Sequence, residues 1–379
     1  MTYPTKTMSK TFSGYKPLPR REMPQSELDF EFPTEEKVEA YVDNMRILKR
    51  FFTGITDCPE PIQVGPQEIL VYGKVEMQGM LAVFNFNTGK NISQKLIDYP
   101  VFKVLYIRSQ RVIISTGTTV NVIFWRLTKK YEIMRLSYLK APREVFCMEL
   151  SSLNVLITCG SYTRICFWNI NNRRLVSTIN TRDEIVDKIK YIPSYNYLVY
   201  SCARKFQYVV VCCVSRRTVA VLNPMGEYIA SSVIEYDYFQ DVLYTGGYDG
   251  EVRCWNIRYL SILNRKPESE LVKSVHKLFL KFGVRDKASC IYTKLHPDWL
   301  VVCGLDRTIN FMNLKSRHNN RTLHVFKGKG HSFFFTKQLG KIVASDYVAG
   351  EIVILGVPRK VCIDCFKENL ERVKNCNVM

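Results

Sequence analysis

Two kinds of residue in this chain are suited to chemistry: thiols and imidazoles that can ligate or attack, and paired cations that can grip anions. The first kind is poorly arranged. His276, His296, His318, His324 and His331 each stand without a second ligand at zinc spacing. Cys362-Ile363-Asp364-Cys365 is a single Cys-x-x-Cys, with Cys376 eleven residues on and no histidine near to complete four ligands. Ordinary thiols are expected there. No Gly-rich phosphate loop and no nucleophile elbow is present, so no catalytic residue, metal or cofactor is assigned. The second kind is better arranged. Lys129-Lys130, Arg173-Arg174, Arg216-Arg217 and Arg359-Lys360 are basic doublets, joined by Lys90, Arg258, Lys315 and Arg317. Such side chains engage phosphates and carboxylates, and whether they act together depends on the elements that place them.

Those elements come from an internal repeat. Val112-Ile113-Ile114-Ser115-Thr116-Gly117 leads to Phe124-Trp125, Val155-Leu156-Ile157-Thr158-Cys159-Gly160 leads to Phe167-Trp168, and Val242-Leu243-Tyr244-Thr245-Gly246-Gly247 leads to Cys254-Trp255. Each is an apolar strand ending in small residues, then a turn, then an alternating strand closed by Trp. Weaker copies begin at Ile69, Tyr197, Leu300 and Lys341. The equivalent positions are 84, 125, 168, 212, 255, 312 and 355, in steps of 41, 43, 44, 43, 57 and 43. Five of the six steps match the period of a four-stranded propeller blade, about 40–45 residues. A blade alone leaves both faces open, and stacking blades in a ring covers them. The expectation is an all-β, seven-bladed propeller over residues 62–357.

The best copy, Thr245-Gly246-Gly247-Tyr248-Asp249-Gly250-Glu251-Val252-Arg253-Cys254-Trp255-Asn256, resembles the WD40 repeat family, with Asp249-Gly250 as its hairpin turn. His296-Pro297-Asp298 and Gly330-His331 are similar to the family's first in-blade turn and its Gly-His pair. The resemblance covers about three-quarters of the chain and implies a non-catalytic scaffold or adaptor in a larger assembly. Arg126, Asn169 and Asn256 replace the family's Asp after Trp, and only one Gly-His occurs, so the family's His–Ser–Asp–Trp hydrogen-bond network is expected to be incomplete.

Counted from the Trp-equivalent position, the cations fall at +3 to +6 in every repeat, which puts them in one turn and on one face of the disk. That face suits acidic protein tails, RNA or microtubules. Tyr131 is the only aromatic beside a doublet, which argues against base-specific readout. A second partner class is protein: Trp255-Asn256-Ile257-Arg258 resembles the Trp-Asp-x-Arg box with which some WD40 substrate receptors dock onto the adaptor of cullin-RING ubiquitin ligases.

Outside the repeat, residues 1–33 contain five prolines and read as an extended arm. Thr34 caps an expected helix over 34–53, with Val38, Tyr41, Val42, Met45, Leu48 and Phe52 on one face, which either packs on the propeller or inserts into a partner's groove. A helical insertion is expected at about 265–285, where Leu271, Val272, Val275, Leu278, Phe279 and Phe282 share a face. Residues 358–379 form a tail, and either Lys360–Cys365 or the N-terminal segment supplies the strand that closes the ring. The net charge is +19, of which residues 1–43 contribute −2, so the body is strongly basic. No stretch is long and apolar enough to span a membrane, there is no signal-peptide core, and the 13 cysteines fit a reducing compartment. The cytosol is the expected location, with the nucleus or cytoskeleton as further sites.

Overall fold

Apolar runs rich in Val, Ile and Tyr favour extended backbone, and Gly, Asn, Asp and Pro between them favour turns. A computed structural model shows how these strands associate. It describes residues 33–151, 154–181, 185–202, 207–222, 231–238, 240–247, 250–256, 278–283, 288–314, 320–336 and 340–358.

Among the described residues helix α1 (Glu35–Asp43) comes first, followed by strand β1 (Arg46–Phe52). Blade 1 is β2 (Ile62–Gln63), β3 (Glu68–Val75), β4 (Gln78–Asn85) and β5 (Asn91–Ile97). Blade 2 is β6 (Val101–Ile107), β7 (Val112–Gly117), β8 (Asn121–Leu127) and β9 (Ile133–Lys140). Blade 3 is β10 (Val145–Leu150), β11 (Val155–Gly160), β12 (Tyr162–Asn169) and β13 (Leu175–Asn180). Blade 4 is β14 (Val186–Ile192), β15 (Tyr197–Cys202), β16 (Gln207–Cys212) and β17 (Thr218–Leu222). Blade 5 is β18 (Ser231–Asp237), β19 (Val242–Gly247), β20 (Glu251–Asn256) and β21 (Leu278–Gly283). Blade 6 is β22 (Ala288–His296), β23 (Trp299–Gly304), β24 (Thr308–Asn313) and β25 (Arg321–His324). Blade 7 is β26 (Gly330–Phe335), β27 (Ile342–Asp346) and β28 (Glu351–Gly356), completed by β1. The protein is thus an all-β, seven-bladed propeller.

The ring closes through the N-terminal side. β1 pairs antiparallel with β28, from Arg46↔Gly356 to Phe52↔Glu351. Two helical expectations are corrected by this fold. The helix read over 34–53 stops at Asp43, because Ile47 to Phe52 find β28 as a ladder partner. Within the insertion read as helical, residues 278–283 form β21 and pair with β20, so tertiary pairing outweighs their helical spacing. The rest of that insertion lies outside the described residues.

Every second strand meets its third with the Trp-equivalent opposite an apolar partner: Ile69↔Phe84, Ile113↔Trp125, Leu156↔Trp168, Leu198↔Val211, Leu243↔Trp255, Leu300↔Met312 and Ile342↔Leu355. In blade 4 the position is Val211, not Cys212. The ladder to β17 shifts at Val211, as it does at Trp125 and Trp168 in their own blades. The indoles of the three Trp residues that close a third strand donate to a hydroxyl ten residues earlier: Trp125 to Ser115 at 2.8 Å, Trp168 to Thr158 at 2.9 Å and Trp255 to Thr245 at 2.8 Å. A buried Trp–Ser/Thr hydrogen bond therefore ties the second strand to the third in blades 2, 3 and 5.

Blade 7 ties itself differently. The buried Asp346 carboxylate accepts backbone N–H groups from Lys327, Gly328, Lys329, Val348 and Ala349 at 2.8–3.2 Å. His331 instead sits with its Nδ1 2.5 Å from the Pro59 carbonyl, and its ring stacks on Tyr347.

The core lies in the seams between blades. Ile114, Val122 and Phe124 of blade 2 pack with Met148, Leu156 and Trp168 of blade 3, and burying each such side chain stabilises the fold by about 1.5–3 kcal/mol. Small residues at second-strand ends permit this approach. A Cβ on Gly160 would sit 1.9 Å from the Glu144 carbonyl oxygen.

Candidate functional site

Two surfaces hold the residues that can do something other than support the sheets: the face built from third-to-fourth-strand turns, and the central channel.

The turns of blades 1, 3 and 4 share one conformation. A residue with positive φ donates its N–H to a carbonyl four residues back: Gly89 to Asn85 at 2.7 Å, Arg173 to Asn169 at 2.8 Å and Arg216 to Cys212 at 2.8 Å. The N–H of that same third-strand residue, Asn85, Asn169 or Cys212, in turn donates to the carbonyl of the residue that follows, namely Lys90, Arg174 or Arg217. Glycine reaches φ +75° at Gly89 without strain, whereas Arg173 and Arg216 hold φ +58° against a Cβ clash of about 1–2 kcal/mol. Blade 2 has a longer turn in which Lys129 and Lys130 precede Tyr131, at φ +66°. Lys90, Lys129, Lys130, Arg173, Arg174, Arg216 and Arg217 are all exposed. They form a cationic arc over four consecutive blades.

Two further arginines, which the spacing rule did not reach, join this face from the first-to-second-strand turn of blade 2. Arg108 is exposed, and Arg111 donates to the Leu127 and Thr128 carbonyls at 3.0 and 2.5 Å while lying over the Tyr131 ring. First and third strands run the same way in a blade, so their ends share a face. That geometry is the signal that would have found them. Arg173 lies over Phe124 of blade 2, which fixes it at the seam.

On the same side of the ring, α1 packs at blades 6 and 7. Tyr41 donates to the Gly340 carbonyl at 2.5 Å, Asn313 donates to Glu35 at 3.0 Å, and Val38, Val42 and Met45 are buried against Trp299 and Phe335. The helix brings Glu35, Glu36, Glu39 and Asp43 to that side. Lys315, Arg317, Arg258, Arg359 and Lys360 lie outside the described residues, as do Cys362, Cys365 and Cys376. Trp255 of the Trp-Asp-x-Arg-like box is buried and committed to Thr245.

The channel, of about 810 Å³, is lined by the first strands. Six of these carry the same one-residue bulge, between Val101/Lys103, Val145/Cys147, Val186/Lys188, Ser231/Val233, Ala288/Cys290 and Gly330/Ser332. The bulge sets Lys103, Cys147, Lys188, Val233, Cys290 and Ser332 at equivalent heights around the channel wall. Ion pairs stitch neighbouring blades across it. Lys103 meets Glu60 at 2.6 Å, and Lys190 meets Glu235 at 3.1 Å and Glu149 at 3.9 Å. Burial would raise the Glu60 carboxyl, but the Lys103 amine overrides it and holds it below the usual carboxylate range. Lys190 stands nearer to Glu235, so burial dominates at Glu149 and pushes its carboxyl up to about 7. These pairs are one blade period apart in sequence, and opposite charges at that interval are the signal that marks them.

Among the described residues no group of three or more His, Cys, Asp or Glu is placed to hold a metal ion, and no helix is long and apolar enough to cross a membrane. No family model matches the chain, and no curated protein matches it. The class that fold and site define is the seven-bladed β-propeller, an architecture that generally serves as a protein-interaction scaffold.

Proposed function

We propose that this chain is a WD40-type propeller that acts as a non-catalytic scaffold or adaptor, holding an acidic protein segment on its cationic face inside a larger assembly. The observation that carries this reading is the arginine at φ +58° in two consecutive blades, where blade 1 uses glycine. A strained conformation kept with a charged side chain is a feature of binding sites more than of passive turns. The arc also tracks four blades without aromatic side chains beside its doublets, apart from Tyr131, which favours carboxylate binding over base stacking. The cytosol is the compartment that suits this reading.

The test is capture of partners by the tagged chain after nuclease treatment, at low and high salt, beside a variant with Arg173, Arg174, Arg216 and Arg217 changed to Glu. The reading expects a protein with an acidic segment that is retained by the parent at low salt, weakens steeply with salt and is lost from the variant. Capture that survives charge reversal overturns the acidic-segment reading, and capture that vanishes with nuclease moves the face to RNA.

A further inference from the structure

Cys147 and Cys159 are opposite each other on the first two strands of blade 3, as Cα partners in the antiparallel ladder β10–β11. The Cys159 thiol lies 3.8 Å from the Cys147 carbonyl oxygen. Directly opposed residues on antiparallel strands have Cα atoms about 4.5–5.5 Å apart, inside the range a disulfide spans. Cys159 is fully buried, while Cys147 keeps 8% of its surface and lines the channel. The bulge shared by the first strands flanks Cys147 with lysines at the equivalent places in both neighbouring blades, Lys103 in blade 2 and Lys188 in blade 4.

We propose that Cys147 and Cys159 form a peroxide-responsive dithiol opening on the central channel, in which Cys147 takes the oxidant and Cys159 resolves it to a cross-strand disulfide. The Cys147 thiolate attacks one oxygen of a hydroperoxide, so that an S–O bond forms and the O–O bond breaks. The departing oxygen takes up a proton and leaves as water or an alcohol. Cys159 then loses its proton and attacks the sulfenic sulfur. The S–S bond forms, the S–O bond breaks and a second water leaves. Two thiols are oxidised and one peroxide is reduced.

The electrostatics support the order of events. The Cys159 S–H, then the Lys103 and Lys188 amines, draw the Cys147 thiol below its ordinary value, and burial holds Cys159 above. Glu149 on the same strand and Asp187 on β14 face this pair as well. The molecule carries its own reference: Cys290 and Cys303 are Cα partners at the equivalent place in blade 6. Cys290 also lines the channel, yet its place is flanked by Val233 and Ser332 in the neighbouring blades, and burial pushes its thiol up to about 11. The two pairs share their ladder geometry and differ in their neighbours.

The experiment treats the full reduced chain with graded hydrogen peroxide and maps the peptides by mass spectrometry. The expected result is a loss of about 2 Da joining the Cys147 and Cys159 peptides, at peroxide levels that leave Cys290 and Cys303 reduced, with a rate ratio of at least about tenfold. In Cys159→Ser the reaction stops at a Cys147 sulfenic acid that dimedone traps. Lys188→Met slows Cys147 several-fold without changing Cys290. The unsubstituted chain gives an independent readout, since iodoacetamide labels Cys147 ahead of Cys290. Oxidation of Cys290 as fast as Cys147, or a Cys147 that stays reduced while buried thiols elsewhere react, overturns the proposal.

Discussion

Arg173 and Arg216 occupy one and the same turn position in consecutive blades, each at φ +58° and each donating its N–H over 2.8 Å to the carbonyl four residues back. The sequence distance between them equals one blade period, so the two side chains start from matching points on neighbouring sheets. Replacing both by glycine separates strain from charge. Arg173→Gly with Arg216→Gly is expected to raise stability by about 0.5–1 kcal/mol per site, read as a higher Tm, and to weaken binding of an acidic peptide at low salt. A double glycine variant that binds as tightly as the parent would show that these arginines are ornaments of the turn.

Asp346 carries a heavier burden than its position suggests. Five backbone N–H groups from both flanking turns point at a buried carboxylate. Asp346→Asn places an amide N–H₂ among donors, and at least one donor loses its acceptor. The expected cost is about 2–4 kcal/mol, from a buried unsatisfied group and a lost charge-assisted bond, measured by urea unfolding. A change below about 0.5 kcal/mol would refute this role.

Glu149 gives the channel a pH dependence of defined sign. Its carboxyl is raised to about 7 by burial, only partly opposed by Lys190. Between the ordinary carboxylate range and pH 7 the folded chain holds a proton here that the unfolded chain has released. Stability from this group is therefore present at low pH and lost as pH rises toward and through 7. Glu149→Gln is expected to flatten that slope and to gain on the order of 1–2 kcal/mol at pH 8, less than the full shift because channel water screens the site. Melting curves from pH 5 to 8 for both chains decide it. Glu60 works in the opposite sense, since its lowered carboxyl contributes stability at neutral pH that is lost on acidification.

Much of the architecture was written in residue types. Trp125, Trp168 and Trp255 stand at third-strand positions because a large ring fills the seam and its N–H needs a hydroxyl, and Ser115, Thr158 and Thr245 supply one at a fixed offset. Where the ring is absent the register is less well marked. In blade 4 no Trp marks the position, so the repeat spacing points to Cys212 while the ladder puts Val211 there. Leu48 and Phe52 fit a helical face by spacing, yet the chain is extended there: Leu48 is skipped at a register shift in the β1–β28 ladder, and both side chains are exposed rather than packed on the propeller. Leu278, Phe279 and Phe282 misled in the same way. Pattern describes one segment at a time, and strand pairing across the whole chain settles such ties. The cations of blades 1–4 were placed on a common turn by counting alone, whereas the channel pairs, such as Glu60 with Lys103, become visible only when residues one period apart are compared.

The closure of blade 7 gives a direct test of which end seals the ring. Removing residues 1–53 deletes β1 and leaves the β28 edge bare beside buried Ile352, Val353 and Ile354. An open edge of this kind pairs with other chains. The shortened chain is expected to aggregate or to elute as oligomers on size exclusion, and a synthetic peptide of residues 44–54 added in excess is expected to restore the monomer in part. A soluble monomer without the peptide would contradict closure by β1.

The same closure sets a timetable for a chain that is made from one end. Among the described strands β1 is synthesised first, and its partner β28 about 300 residues later. At about 5–20 residues per second, β1 waits some 15–60 seconds while six complete blades form behind it. During that interval blade 7 does not exist, and α1, whose buried face rests on Trp299 and Phe335, has nothing to cover. Arg46, Lys49 and Arg50 on the waiting strand repel like strands and delay premature pairing. The last of the described strands to emerge meets the first, so the ribosome must finish the seven blades before the ring is sealed.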